Sequence, residues 1–185
     1  MRKIVLNILV ALVSFSFLSF ANSEDLNLEN NKEQASNETE LNFFSGMFDF
    51  SDDNQASGFI GLQHQNDDLY RKSFLGRISP ITGGFLTEKN AFYFYTGAQA
   101  EYDLGLFTIT PSFAPGYYNA GNGKDLGSVL EFKSEIQMSL NLTDSTEFGM
   151  SYNHISNASL GDKNPGANSY MFNLIRRFWF KLNFI

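Results

Sequence analysis

The sequence predicts an all-β chain folded as an eight-stranded antiparallel transmembrane β-barrel. Three observations carry that expectation. From residue 42 onward, apolar and polar residues alternate with a period of two rather than 3.6. The alternating runs last about 10 to 15 residues, long enough to cross a bilayer at a ~45° tilt. Finally, 16% of the 185 residues are aromatic, with 20 Phe and 8 Tyr, yet the mean hydropathy is only −0.21. A ring-rich outer face around a polar lumen accounts for both values. A soluble sandwich also alternates. Here, though, the polar face carries the small residues and paired charges of a narrow lumen.

Composition excludes several functions. The chain has no cysteine, which removes disulfide scaffolds, thiolate zinc sites, cysteine nucleophiles and a lipidated N-terminal Cys. A formal charge of −7 argues against nucleic acid as a partner. No phosphate-binding loop and no convincing metal-ligand cluster appears in the sequence.

Residues 1–23 read as a secretory signal. Arg2 and Lys3 precede an apolar run from Ile4 to Phe20, and Ala21-Asn22-Ser23 supplies small residues before the cut. The run is shorter than the ~20 residues of a spanning helix. Residues 24–41 hold six acids, one lysine and few apolar residues, as an acidic flexible leader would. The barrel is then residues 42–185.

Eight strands are expected, at about 43–51, 57–66, 72–86, 90–102, 105–118, 127–142, 146–156 and 168–184. The second and third are the least regular. In the fourth, Phe92 and Phe94 alternate with Tyr93 and Tyr95. In the fifth, Phe107, Ile109, Pro111, Phe113, Pro115 and Tyr117 share one parity. In the sixth, Leu130, Phe132, Ser134, Ile136, Met138 and Leu140 alternate with Glu131, Lys133, Glu135, Gln137 and Ser139. In the seventh, Phe148, Met150 and Tyr152 alternate with Glu147, Gly149, Ser151 and Asn153. Eight is the lower limit for bacterial barrels, and eight strands enclose an interior that side chains fill, so a channel is not expected. Asp67-Asp68, Asp103-Leu104 and Asp144-Ser145 read as short turns, whereas 119–126 and 157–167 read as longer loops. Short turns are periplasmic and long loops external, which puts the end of the seventh strand at the outer surface.

Two histidines are present. His64 shares the apolar parity of Ile60 and Leu62 and reads as a packing or interfacial residue. His154 shares the parity of Phe148, Met150 and Tyr152, and Ser156 follows two residues later. Residues i and i+2 of a strand point to one face. Both side chains therefore face lipid near the external rim. An imidazole there can take the Ser proton and return it to a leaving alcohol, and Asn157 and Asn164 are candidate oxyanion donors. A tolerated rim-level polar pair is the competing reading of the same spacing.

The segment His154-Ile155-Ser156-Asn157-Ala158, followed by Asn164-Pro165-Gly166-Ala167-Asn168, resembles the active-site motif of outer-membrane lipid A 3-O-deacylases, the PagL family. The run from Thr110 to Tyr118 and Asp125-Leu126-Gly127 are also similar to that family's middle strands. The resemblance spans residues 75–178. It implies an integral outer-membrane barrel with its site on the lipid-facing external rim, and a serine esterase that needs no cofactor. Ser156 would be the nucleophile and His154 the base. The substrate would be lipid A of lipopolysaccharide, losing the 3-hydroxyacyl chain esterified at its 3-position within outer-membrane lipid. One departure stands out: where the family carries a Glu, fourteen residues after the His, this chain has Asn168. An amide orients imidazole but does not stabilise imidazolium as a carboxylate does, and in serine proteases that exchange lowers kcat by about 10⁴. Three readings follow: a working Ser-His-Asn variant, a slow enzyme, or a non-catalytic barrel with a structural or adhesive role. Asp162 is an alternative acid, while Glu147 has lumen parity.

Three further features stand apart from the motif. Arg176 has lipid parity, which implies either a register-flipping bulge or a place at an interface. Lys124 and Lys163 lie in external loops, where they are either solvated or able to meet lipid A phosphates. The aromatic content reads largely as the outer surface of the barrel.

Overall fold

The computed structural model describes residues 38–66, 70–73 and 76–179. The expected signal, the leader up to residue 37, the Asp67-Asp68 turn and the strand beyond Trp179 lie outside the described residues. The described residues form nine strands: β1 (Glu38–Phe48), β2 (Ser57–Asn66), β3 (Arg71–Ser73), β4 (Gly76–Thr87), β5 (Phe92–Asp103), β6 (Phe107–Asn119), β7 (Leu130–Thr143), β8 (Thr146–Ser156) and β9 (Ala167–Trp179). All pairings are antiparallel. β1 pairs with both β2 and β9, and β2 pairs with β4, so the sheet closes on itself. β3 runs along β4 in the same sense as β2, with Gln65 opposite Ile81 and Arg71 opposite Ile78. β2 and β3 are thus one stave, and the barrel has the expected eight. Closure is what lipid demands, since an unpaired backbone group in hydrocarbon costs several kcal/mol.

Two expected boundaries move. β1 begins at Glu38, inside the expected leader. Its acidic start belongs to the lumen: Glu40 is buried and accepts a hydrogen bond from Arg177 Nε at 3.2 Å. A charge that faces inward looks like a solvated tail in a hydropathy pattern. The second boundary is the reversal after the second stave. Ser73 pairs with Gly76 and Lys72 with Arg77, so residues 72 and 73 belong to the second stave rather than the third.

The lumen is divided. Toward one end, Phe44, Phe48, Phe59, Phe85, Tyr93, Tyr95 and Tyr118 form a buried cluster, with ring centroids 5.0 to 6.5 Å apart in most contacts. The expectation that aromatics clad the outside holds only in part. Where Phe92 and Phe94 alternate with Tyr93 and Tyr95, both faces are aromatic: the Phe rings face out and the Tyr rings face in. Below the cluster the lumen is polar. Lys133 Nζ lies 2.9 Å from Glu135 and 4.1 Å from the Tyr95 ring centre. Tyr95 donates to Gln63 at 2.9 Å, and Gln63 donates to Gln99 at 3.1 Å. Arg177 bridges Glu40 and Glu147. Paired polar side chains thus span this part of the interior, as a narrow eight-stranded barrel allows.

The outer face is apolar, with Phe43, Ile60, Leu86, Phe94, Phe113, Ile136, Met150 and Phe172 all exposed. Loops 49–56, 88–91, 120–129 and 157–166 gather at the end that holds the aromatic cluster, whereas 104–106 and 144–145 close the other end. Arg176 sits at that short-turn end, where its Nη1 donates to Thr146 Oγ1 at 2.7 Å. The in–out alternation of β9 runs unbroken through it, so it lies at an interface and no bulge intervenes.

Lys133 and Glu135 have side chains only 3% and 6% exposed, so each depends on the other. Lys133→Met is expected to cost about 3 to 5 kcal/mol by stranding the carboxylate, and Lys133→Met with Glu135→Leu much less. Urea unfolding in lipid vesicles measures both. Equal losses in the single and double variants would contradict the pairing.

Candidate active site

β8 delivers the chemistry-bearing residues, and its alternation decides which way they face. Ser151, Asn153 and Ile155 are buried, while Tyr152 and His154 are exposed and Ser156 is half-buried at the strand end. Across β9, His154 pairs in register with Asn168, and Tyr152 with Tyr170. The structure thus puts the expected His and Asn side by side on the lipid-facing wall. His154 Nδ1 lies 2.8 Å from Asn168 Oδ1. A carbonyl oxygen only accepts, so in a neutral ring this contact calls for the proton on Nδ1 and leaves the lone pair on Nε2. That is the form a general base needs. Ser156 is on the same face, two residues along. No Ser156–His154 hydrogen bond forms among the described residues, and such catalytic contacts commonly tighten only with substrate bound.

Asn168 is gripped from several sides. Tyr152 Oη donates to Oδ1 at 2.8 Å, and Nδ2 donates to Ser51 Oγ at 3.2 Å. Its backbone N–H reaches Asp49 Oδ1 at 3.4 Å, and its carbonyl accepts from Phe50 N–H at 3.0 Å. The Phe50 ring packs on Tyr152 and Tyr170 with centroids 6.3 and 5.4 Å away. Asp49 is buried with φ 52° and pairs with Lys124 at 2.7 Å. Loop 49–56 is therefore part of the site.

The two expected oxyanion donors separate. Asn157 is fully buried, and its Nδ2 donates to Leu126 O and Lys163 O, each at 2.8 Å. Its side chain ties loop 120–129 to loop 157–166 and has no hydrogen left for an oxyanion, which corrects the expected role. Asn164 is exposed. Its Oδ1 accepts the Asn157 backbone N–H at 3.1 Å, which orients the amide and leaves Nδ2 out of that bond. Asn157 also starts a turn closed by Leu160 N–H on its carbonyl at 2.9 Å. The two central residues, Ala158 and Ser159, have φ of 52° and 64°, a conformation costing roughly 1 to 2 kcal/mol per residue. Backbone strain sits two and three residues after Ser156.

The remaining candidates fall away from the imidazole. Asn168 occupies the Nδ1 side, where a triad acid would sit, so Asp162 does not take that place. Glu147 is buried in the lumen with Arg177. His64 faces outward but bonds Thr39 near the short-turn end. Lys124 is held by Asp49 and Asp52, and Lys163 by Asp125 at 2.9 Å. The Lys163 ammonium, with help from the Gly127 N–H, holds the Asp125 carboxyl below its ordinary range.

Sequence reasoning missed Ser51, Asp49 and Phe50, which reach the site only because closure sets β1 beside β9. It passed over Tyr152, whose parity with His154 was a usable signal. It also passed over Ser134, exposed and directly opposite His154 on β7. Gly166 is a further miss. It has φ 62°, and a Cβ there would lie 2.8 Å from His154 Cε1. Gly166→Ala is therefore expected to push the imidazole off Asn168 and to lower activity by about tenfold or more. Chemical-shift change at the His154 ring reads the displacement directly; an unmoved ring would contradict the contact.

Comparison with known proteins now adds to this geometry. A sequence profile of the family described as lipid A 3-O-deacylase (PagL) matches residues 22–177. No curated protein matches the sequence. Among solved structures, the chain is similar to the outer-membrane enzyme PagL, with TM-score 0.59 and 20% identity over 74% of this chain and 98% of that one. It is also similar to a de novo designed transmembrane β-barrel, with TM-score 0.50 and 9% identity over 79% and 99%.

Proposed function

Because the chain belongs to the lipid A 3-O-deacylase (PagL) family, we propose that it is an integral outer-membrane esterase that removes the 3-hydroxyacyl chain esterified at position 3 of lipid A. The observation that carries this reading is the His154 Nδ1 contact with Asn168 Oδ1 at 2.8 Å, on the lipid-facing rim and two residues from Ser156. The fold supports the location, since the wall around the site is apolar. A lipid substrate approaching sideways from the outer leaflet meets this face without leaving the membrane.

In the proposed reaction, His154 Nε2 takes the Ser156 Oγ proton as Oγ attacks the ester carbonyl carbon. Charge builds on the carbonyl oxygen, and Asn164, exposed in the loop that follows Ser156, would donate its Nδ2 hydrogen to it. The carbon–oxygen bond to the sugar breaks, and the imidazolium returns its proton to the departing sugar oxygen. Water, deprotonated by the same imidazole, then hydrolyses the acyl-serine and releases the 3-hydroxy fatty acid. Asn168 fixes the ring but carries no charge to offset the imidazolium. That observation favours a second reading, a non-catalytic barrel with a structural or adhesive role.

One experiment decides between them. The full chain is produced in an outer membrane containing 3-O-acylated lipid A, and the lipid A is weighed by mass spectrometry. We expect loss of one hydroxyacyl chain, abolished by Ser156→Ala and by His154→Ala. Intact lipid A beside well-folded wild-type protein, across several acyl lengths, would sink the enzymatic reading.

Asn168→Glu supplies the missing charge and is expected to raise kcat by about 10-fold or more, within the 10⁴ span of an acid–amide exchange. An unchanged or lower rate would show that the amide does not limit turnover.

A further inference from the structure

An amide differs from a carboxylate in one respect that matters beside a histidine: its two ends are unlike. A carboxylate accepts from Nδ1–H whichever oxygen faces the ring. An amide turned over presents its NH₂ instead, and Nδ1 must then accept. The ring proton moves to Nε2, and the base loses the lone pair it needs. The tautomer of His154 is therefore set by which end of Asn168 faces it.

We infer that Tyr152 and Ser51 are positioning residues that hold Asn168 with its oxygen toward His154 and so fix the imidazole tautomer. The inference rests on the reading of His154 as a general base. Both ends of the amide are engaged: Oδ1 accepts the Tyr152 phenol at 2.8 Å, and Nδ2 donates to Ser51 Oγ at 3.2 Å. Turning the amide over would make the phenol oxygen an acceptor and the serine hydroxyl a donor. Phenol is the wrong group for that exchange, because its oxygen lone pair is delocalised into the ring and its O–H is acidic. An alkyl hydroxyl, in contrast, accepts well. Each hydroxyl is thus matched to the amide end it meets.

The surrounding contacts stop the residue from evading this choice. The backbone of Asn168 is bonded on both sides to loop 49–56, through Asp49 Oδ1 and Phe50 N–H. The Phe50 ring packs edge-on against Tyr152 and fixes the direction of the phenol. Lys124 ties Asp49, and with it the loop that carries Ser51, to loop 120–129. The positioning groups come from β8 and from the β1–β2 loop, so they act on Asn168 from opposite sides.

The test reads the tautomer directly. Full-length ¹⁵N-labelled protein in detergent micelles, in a His64→Gln background, leaves His154 as the source of the ring signals. At a pH where the imidazole is neutral, the wild type is expected to show Nδ1–H. Tyr152→Phe with Ser51→Ala is expected to shift the ring toward Nε2–H, and adding Asn168→Glu to that pair should restore Nδ1–H, since a carboxylate has no wrong way round. In turnover, Tyr152→Phe should lower kcat by about tenfold or more with KM nearly unchanged, but not in the Asn168→Glu background. Gel mobility before and after heating checks folding, and the milder Tyr152→Phe single variant serves if the double variant does not fold. A wild-type Nε2–H ring, or a tautomer indifferent to the variants, overturns the inference. If the tautomer responds as expected but lipid A stays intact, the positioning stands and the esterase reading fails.

Discussion

The pairing of β1 with β9 is the constraint on which the rest of the molecule depends. In lipid, an open sheet edge would leave a row of backbone donors and acceptors with no partner, so the first and last staves must meet. They meet in an unbroken register from Glu38 opposite Trp179 to Met47 opposite Tyr170. That register has a local consequence. It brings residues 49–51, which directly follow β1, onto the start of β9, where Asn168 lies. The same closure that satisfies the backbone therefore assembles the surroundings of His154 from parts of the chain more than a hundred residues apart.

The interior explains why so exposed a site can be ordered. His154 stands on the outside of a wall, with no core around it. What holds it is the rigidity of the strand beneath, whose inward neighbours Asn153 and Ile155 are buried in the lumen. Behind the rim end of β8 lies the aromatic cluster, and below that the Lys133–Glu135 pair and its glutamine partners. A site carried by strands backed by a packed interior keeps its geometry better than one carried by a loop. The loops contribute in a narrower way. Asn157 joins loop 120–129 to loop 157–166, and Asn164 is oriented by a backbone N–H within the same segment.

The period-two alternation made the eight-stave architecture, the ends of β8 and the outward direction of His154 and Ser156 readable from sequence. Parity is a local property, so it survives without knowledge of the partners. What was not readable is what depends on closure or on the other face. Glu40 looked like part of a solvated leader because its partner, Arg177, lies on the last strand. The inward turn of Tyr93 and Tyr95 was hidden by an equally aromatic outer face. Asn157 looked like an oxyanion donor because its chemistry fits, but its side chain points into the loop junction. Ser51 carried no signal of its own: a serine in a turn becomes a partner of Asn168 only through the β1–β9 register.

Asn168 concentrates the remaining physical question. A carboxylate on a lipid-facing wall pays a desolvation cost even near the interface, and among the described contacts no cation stands next to residue 168 to offset it. The amide avoids that cost and keeps the His–Asn pair neutral in the resting state. The difference returns when the ring becomes imidazolium, because the amide oxygen offers only a dipole where a carboxylate offers a full charge. Orientation and charge are separable contributions of a triad's third member. In this chain, Tyr152 and Ser51 secure the first by fixing which end of the amide meets the ring. In the proposed reaction the second is left to the developing contacts of the transition state, and it sets how far a Ser-His-Asn arrangement could go on the outside of a barrel.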